Sequence, residues 1–185
     1  MGVPAVFLDR DGVVIENRPA YVRTWEDVEI FGQALEALAA LAGRPGKVIL
    51  VTNQSGVGRG LVEEADARAI GDRLVKEIEE CGGRIDGVYM CPHAPEDGCA
   101  CRKPRPGLIL EAAAEHGIDL SRSVMIGDAV TDLQAARAAG IPVYALVRTG
   151  RGRDEERLLT GLALGEAGVY EDMKEALEDL LKVEG

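Results

Sequence analysis

Aromatic side chains are scarce in this chain, at 4% of 185 residues. A core so poor in rings has to be filled by Leu, Val, Ile and Ala. No apolar run approaches membrane-spanning length, and the N-terminus shows neither a basic n-region nor an apolar h-region. A cytoplasmic protein without a membrane partner is expected. Positive charge is in the minority, with 21 Lys and Arg against 32 Asp and Glu and a net charge of -11. Nucleic-acid backbones are held by basic surface, so no nucleic-acid partner is expected. A small phosphorylated ligand stays open, because one pocket can be locally positive. Internal repeats and low-complexity linkers are also missing, and the length suits one domain spanning 1–185, expected as a monomer.

Among the features present, Ala5-Val6-Phe7-Leu8-Asp9-Arg10-Asp11-Gly12 stands first. A short apolar run reads as a buried strand and ends in two carboxylates one residue apart. Alternation along a strand lets Asp9 and Asp11 begin by facing one spot, and Gly12 lets the chain turn away. Bunched carboxylates repel one another unless a cation lies between them or one keeps its proton. The arrangement suits phosphoryl transfer, with Asp9 as nucleophile, Asp11 as acid and base, and a hard cation such as Mg2+ between protein and phosphate. An acidic loop closing a strand is the competing reading of this motif alone.

Short apolar strands then alternate with helical patterns. Strands are expected at Lys47–Val51, Gly87–Met90, Ser123–Ile126 and Val143–Val147, with Val169-Tyr170 as a short edge. Helices are expected at Gln33–Ala42, Glu63–Cys81, Pro106–His116, Thr131–Ala139 and Glu171–Leu181, several of them stopped by glycine. This is the pattern of an α/β fold, a Rossmann-like parallel sheet with helices on both faces. Val13 to Gly32 forms a long connection, and nothing in Arg148 to Gly168 points to one structure. Gly56-Val57-Gly58-Arg59-Gly60 is not a dinucleotide fingerprint, since Leu61 stands where the last glycine belongs.

In parallel sheets ligands bind beyond the carboxyl ends of the strands, and the polar clusters fall there. Thr52 and Asn53 offer a hydroxyl, an amide and backbone N–H groups to phosphate oxygens. Arg102-Lys103 pairs a forked donor with a point charge. Asp128 and Asp132, four apart at a helix start, share a face. Cys91, His93, Cys99 and Cys101 have the donor types of a closed tetrahedral Zn2+ site in a small loop at about 91–101. A local disulfide or free cysteines are the alternatives, and a closed site would be structural. Cys81 reads as a small core residue, His116 as a helix-end partner, and Trp25 as core filler or, in preference, a substrate-loop lid.

The run from D-R-D-G (Asp9 to Gly12) through T-N-Q-S-G (Thr52 to Gly56) and R-K-P (Arg102 to Pro104) to G-D-x-x-x-D (Gly127 to Asp132) resembles the haloacid-dehalogenase-like phosphatases. It is most similar to a branch without a large cap domain, whose members act on sugar bisphosphates or histidinol phosphate. The resemblance implies Asp9 as nucleophile and Mg2+ ligand, and Asp11 as general acid/base with its backbone carbonyl on the metal. It implies Thr52 and Lys103 as phosphoryl holders, Arg102 as a substrate contact, and Asp128 as a Mg2+ ligand, with Asp132 a further candidate. Tyr21 and Arg23 fall in the loop that contacts substrate in this branch, and Asn53 adds a binding group. The zinc loop also agrees. The expected activity is a Mg2+-dependent phosphomonoesterase on a small phosphorylated sugar; a catalytically silent, zinc-stiffened binding module is the non-enzyme alternative.

Overall fold

The computed structural model describes residues 2–159 and 167–180. Six strands, β1 (Ala5–Leu8), β2 (Lys47–Asn53), β3 (Gly87–Cys91), β4 (Val124–Gly127), β5 (Val143–Val147) and β6 (Gly168–Tyr170), make one sheet. Its order is β3-β2-β1-β4-β5-β6 and every pairing is parallel. Parallel strands need long crossovers, which the helices supply. These are α1 (Gly32–Leu41), α2 (Ser55–Gly58), α3 (Glu64–Glu80), α4 (Gly107–His116), α5 (Val130–Ala139), α6 (Gly152–Leu159) and α7 (Met173–Leu180).

The apolar runs follow from this burial on both faces. Along β2, Val48 and Leu50 join the core under α1, α3 and α7, while Ile49 and Val51 point into the core under α4 and α5. Leu8 and Phe7 divide in the same way on β1, as do Ala145 and Leu146 on β5. A strand buried on both sides has no polar position to spare. Its polar groups are therefore pushed to its ends. Strand order reverses between β1 and β4, which places Asp9 and Asp128 beside each other at the carboxyl ends of neighbouring strands.

Thr52 and Asn53 are the last residues of β2, which runs two residues past the expected end at Val51. Part of the unreadable stretch folds as α6, and residues 160–166 and Leu181 lie outside the described residues. Two expectations are corrected. Cys81 caps α3 and is exposed, so it is no core residue. Trp25 packs half-buried against the α1–α3 core under the Arg73 guanidinium, 4.3 Å from its ring centroid, and does not line the cavity described below. His116 ends α4 with its ring edge-on to Tyr89. Among the described residues, no helix is long and apolar enough to cross a membrane.

Gly71 is buried in the middle of α3, yet a Cβ there would meet only Val88 Cγ1 at 3.8 Å. It carries the backbone entropy cost of a helical glycine without a crowded neighbour to require it. Gly71→Ala is expected to stabilise the protein by about 0.5–1 kcal/mol, read from the midpoint of urea unfolding.

Candidate active site

The floor of the site is a buried ion cluster. Lys103 reaches in from the β3–α4 loop, and its Nζ lies 2.8 Å from Asp9 Oδ1 and 2.7 Å from Asp132 Oδ1. It also donates to the Val51 carbonyl at 2.7 Å. All three side chains are nearly inaccessible, at 2, 7 and 1%. Burial disfavours the ammonium, but Asp132 and Asp9 outweigh it and hold the lysine above its usual range. Burial pushes the Asp9 carboxyl up to about 6 against the pull of Lys103, with Asp132 and Asp11 adding to the rise.

Asp132 is the third residue of α5, and its Oδ2 accepts from the Ala129 N–H at 3.1 Å. Both its oxygens are thus engaged, one by a helix cap and one by Lys103. Burial likewise raises its carboxyl. Asp128 precedes the helix and is fully buried. Its Oδ2 accepts from Asn17 Nδ2 at 2.7 Å and from the Arg151 N–H at 2.9 Å, while its Oδ1 lies 3.3 Å from Arg151 Nη2. Burial, then Asp9, lift Asp128 to about 6, with Arg151 opposing.

Gly150 makes this closeness possible. Its φ is +57°, and a Cβ would fall 2.4 Å from Asp128 Oδ2 and 2.5 Å from Gly12 Cα. Thr149 Oγ1 fastens the same turn to the Gly12 carbonyl at 2.5 Å.

Asp11 lines the same cavity as Asp9 but has partners of its own. Gly12, with φ +86°, takes the chain off the strand. The Asp11 carboxylate then turns to Arg10, accepting from Nε and Nη2 at 3.0 Å each, and to Gln54 Nε2 at 2.8 Å. The fork of a fully buried arginine matches both oxygens. Thr52, buried beneath, is 3.4 Å from Asp11 Oδ2 and accepts from Gln54 at 2.7 Å.

Above these groups opens a cavity of about 480 Å³ lined by Asp9, Asp11, Tyr21, Asn53, Lys103 and Arg151, with Arg18, Arg102 and Asp132 on its walls. Asn53 does more than face it. Its amide donates to the Lys103 carbonyl and accepts from the Lys103 N–H, both at 3.1 Å, clipping the lysine loop to β2. Tyr21 has φ +66°, and its ring packs over Gly56. Arg23 is not brought in; its Nε donates to the Ala20 carbonyl at 2.9 Å, and Arg18 lines the wall instead. Asn17, Arg18 and Arg151 have no motif of their own around them, and Gln54 lies within T-N-Q-S-G without standing out from it. Only their place beside acidic or turn residues could have drawn attention.

An oxygen from each of Asp9, Asp128 and Asp132 lies within 4.8 Å of the others. This all-oxygen set fits a hard divalent cation. Three carboxylates against the Lys103 ammonium leave two negative charges, the amount one such ion neutralises. The thiol cluster fits a different metal. Sγ atoms of Cys91, Cys99 and Cys101 lie 3.2–3.6 Å apart, and His93 Nδ1 is 3.6 Å from Cys91 and 3.3 Å from Cys101. Those are far beyond a disulfide and close to the edges, about 3.7 Å, of a tetrahedron around Zn2+. Burial pushes the Cys91 thiol up to about 12, so a thiolate there calls for a cation. The loop is docked on the T-N-Q-S-G segment, with Gln54 N–H on the Cys91 carbonyl and Gly58 N–H on that of Pro92, each at 2.7 Å.

A HAD-hydrolase-like family model matches residues 100–176. The D-glycero-β-D-manno-heptose-1,7-bisphosphate 7-phosphatase of Bordetella bronchiseptica is 40% identical over 177 residues, covering 96% of this chain and 97% of that protein. The enzyme of the same name from Helicobacter pylori is 44% identical over 138 residues, covering 74% of this chain and 79% of its own. The crystal structure of the Bordetella bronchiseptica heptose-bisphosphate phosphatase with magnesium and phosphate superposes with a TM-score of 0.88, covering 97% of this chain and 99% of that one.

Proposed function

The chain belongs to the haloacid-dehalogenase-like hydrolases, in the family of the D-glycero-β-D-manno-heptose-1,7-bisphosphate 7-phosphatases, and on that basis we propose that it removes the 7-phosphate of that sugar bisphosphate. The observation that carries the reading is Lys103 locked between Asp9 and Asp132 at the floor of the cavity, beside Asp128. This cluster supplies a nucleophile, a fixed positive charge and a place for a dication. The net charge of -11 supports a small substrate rather than a polyanion, and a cytoplasmic monomer is the simplest form.

Asp9, with Oδ1 held by Lys103, attacks the 7-phosphorus through Oδ2 and becomes an aspartyl-phosphate. Thr52, Lys103 and the backbone N–H groups after β2 hold the phosphoryl oxygens. Asp11 leaves Arg10 by side-chain rotation, takes a proton from solvent as it loses that cation, and passes it to the departing sugar oxygen as the bond from that oxygen to phosphorus breaks. It then takes a proton from the water that attacks the acyl phosphate, which returns Asp9 and releases phosphate. Arg102, Asn53 and Tyr21 bind the sugar side of the cavity. Asp9, Asp128 and the Asp11 carbonyl would hold Mg2+, which when bound screens the repulsion between carboxylate and phosphate. Asp132 acts through Lys103 and the helix cap.

The test is phosphate release, with Mg2+, from a panel holding both heptose-bisphosphate anomers, heptose 7-phosphate and histidinol phosphate. The β-bisphosphate should be hydrolysed with the highest kcat/KM. Preference for histidinol phosphate would assign the sister activity, and no hydrolysis of any would revive the silent binding module.

Cys91, His93, Cys99 and Cys101 would hold Zn2+ as a closed structural site that stiffens the loop presenting Arg102 and Lys103. Protein purified without chelators is expected to carry zinc at one per chain by elemental analysis. Stripping it should cut phosphate release about a hundredfold through misplacement of Lys103. Full activity in zinc-free protein would remove that role.

A further inference from the structure

Arg151 is fixed at its backbone and free at its tip. Its N–H is bonded to Asp128, Gly150 before it is wedged against Gly12, and Gly152 after it is pressed on the Val147 carbonyl. Its guanidinium lines the cavity with 58% of the side chain exposed, and it lies across the fully buried Asp128. The bonds holding it there are long, 3.3 and 3.5 Å.

The other cations of the wall are more firmly placed. Lys103 has three short partners. Arg18 is held by the Asp27 carbonyl at 2.7 Å and Glu29 at 3.0 Å; Arg102 is the exception, with one bond of 3.3 Å to the His93 carbonyl, but no carboxylate at the floor holds it as Asp128 holds Arg151.

A dication on Asp128 repels a guanidinium on the same carboxylate. With Lys103 it also completes the neutralisation of the three buried acids, so the charge of Arg151 becomes surplus at the floor. The chain around Arg151 cannot follow it outward, but its long side chain can. We infer that Arg151 exchanges Asp128 for the phosphate that is not transferred, leaving the carboxylate when the metal enters and forking onto the anomeric phosphate of the sugar. An arginine fork suits a phosphate dianion, and the cavity has room for a second one.

This rests on the bisphosphate reading above for its substrate, and on geometry alone for its exchange. Two measurements separate them. Calorimetric titration with Mg2+ needs no substrate: Arg151→Ala should bind Mg2+ severalfold more tightly than wild type, since no guanidinium competes. Equal or weaker binding would overturn the exchange. With heptose 1,7-bisphosphate and heptose 7-phosphate, Arg151→Ala should lose about 10- to 100-fold more kcat/KM on the bisphosphate, carried by KM. Heptose 1-phosphate, titrated in the presence of Mg2+, should bind more weakly by a similar factor. Equal losses on both substrates, together with unchanged binding of the 1-phosphate, would overturn the recognition. A wild type that hydrolyses neither sugar would count against the functional reading, while the two titrations would still decide the role of Arg151.

Discussion

Asp9→Asn is expected to abolish phosphate release, by about 10⁴-fold or more, while making the metal-free protein harder to unfold. The two effects share one cause. Asp9 is buried among other acids, and its carboxyl is raised from the ordinary 3.8 to about 6, first by burial and only partly relieved by Lys103. Holding it ionised at neutral pH therefore costs up to about 3 kcal/mol, and an amide of the same shape avoids that cost. Lys103 keeps Asp132 as partner, so a gain of about 1–3 kcal/mol is expected at pH 7.5. The sign with pH follows. In the unfolded chain the group titrates near 3.8 and in the folded one near 6, so folding takes up a proton between them. Wild-type stability from this group is full below pH 4 and falls as pH rises through 6. The advantage of the variant should accordingly be largest at pH 7.5, about half as large at pH 5 and gone below pH 4 in urea unfolding without metal. Mg2+ should narrow it, by binding the wild-type carboxylate. An Asn variant less stable than wild type at pH 7.5 would show that Asp9 is held there by favourable contacts rather than against repulsion.

Much of this site was legible from residue order, because a doubly covered parallel sheet leaves polar groups little choice of place. Asp9, Thr52 and Asp128 each follow or end an apolar run, and the fold gathers them at one edge of the sheet. The gathering of Cys91, His93, Cys99 and Cys101 was legible too, because they are close along the chain. What stayed hidden depends on contacts between distant segments. Asn17 meets Asp128 across 111 residues. Arg151 is put in place by the fit of Gly150 against Gly12, and no local pattern announces it. The charged run of α6 has too few apolar positions to signal a helix by periodicity. The partners of Asp11 stay hidden for a local reason: β1 ends at Leu8, beyond which strand alternation does not say that Arg10 and Gln54 will take its carboxylate. The Asn53 amide is only partly available: its oxygen and one N–H bond the Lys103 backbone, which leaves the second N–H for a ligand. Cys81 and Trp25 show that residue type says little about burial at the edge of an element.

Lys103→Met is expected to cost about 3–5 kcal/mol of stability at neutral pH and to lower kcat by about 10²–10³-fold. Methionine fills most of the volume, so the loss is electrostatic: Asp9 and Asp132 remain buried without their common cation. Both carboxyls then rise further, and the penalty should shrink as pH falls toward 5, where they regain protons. Adding Asp132→Asn removes one of the orphaned charges. The double variant should recover a large part of the stability lost in Lys103→Met, a larger gain than Asp132→Asn gives alone, where Lys103 still holds Asp9. Activity should not return with stability, because no ammonium is left to meet the phosphoryl oxygens. If the two changes instead add independently in a double-mutant cycle, Lys103 and Asp132 are not one electrostatic unit. The floor of the cavity would then owe its order to packing, and the lysine would act on substrate alone.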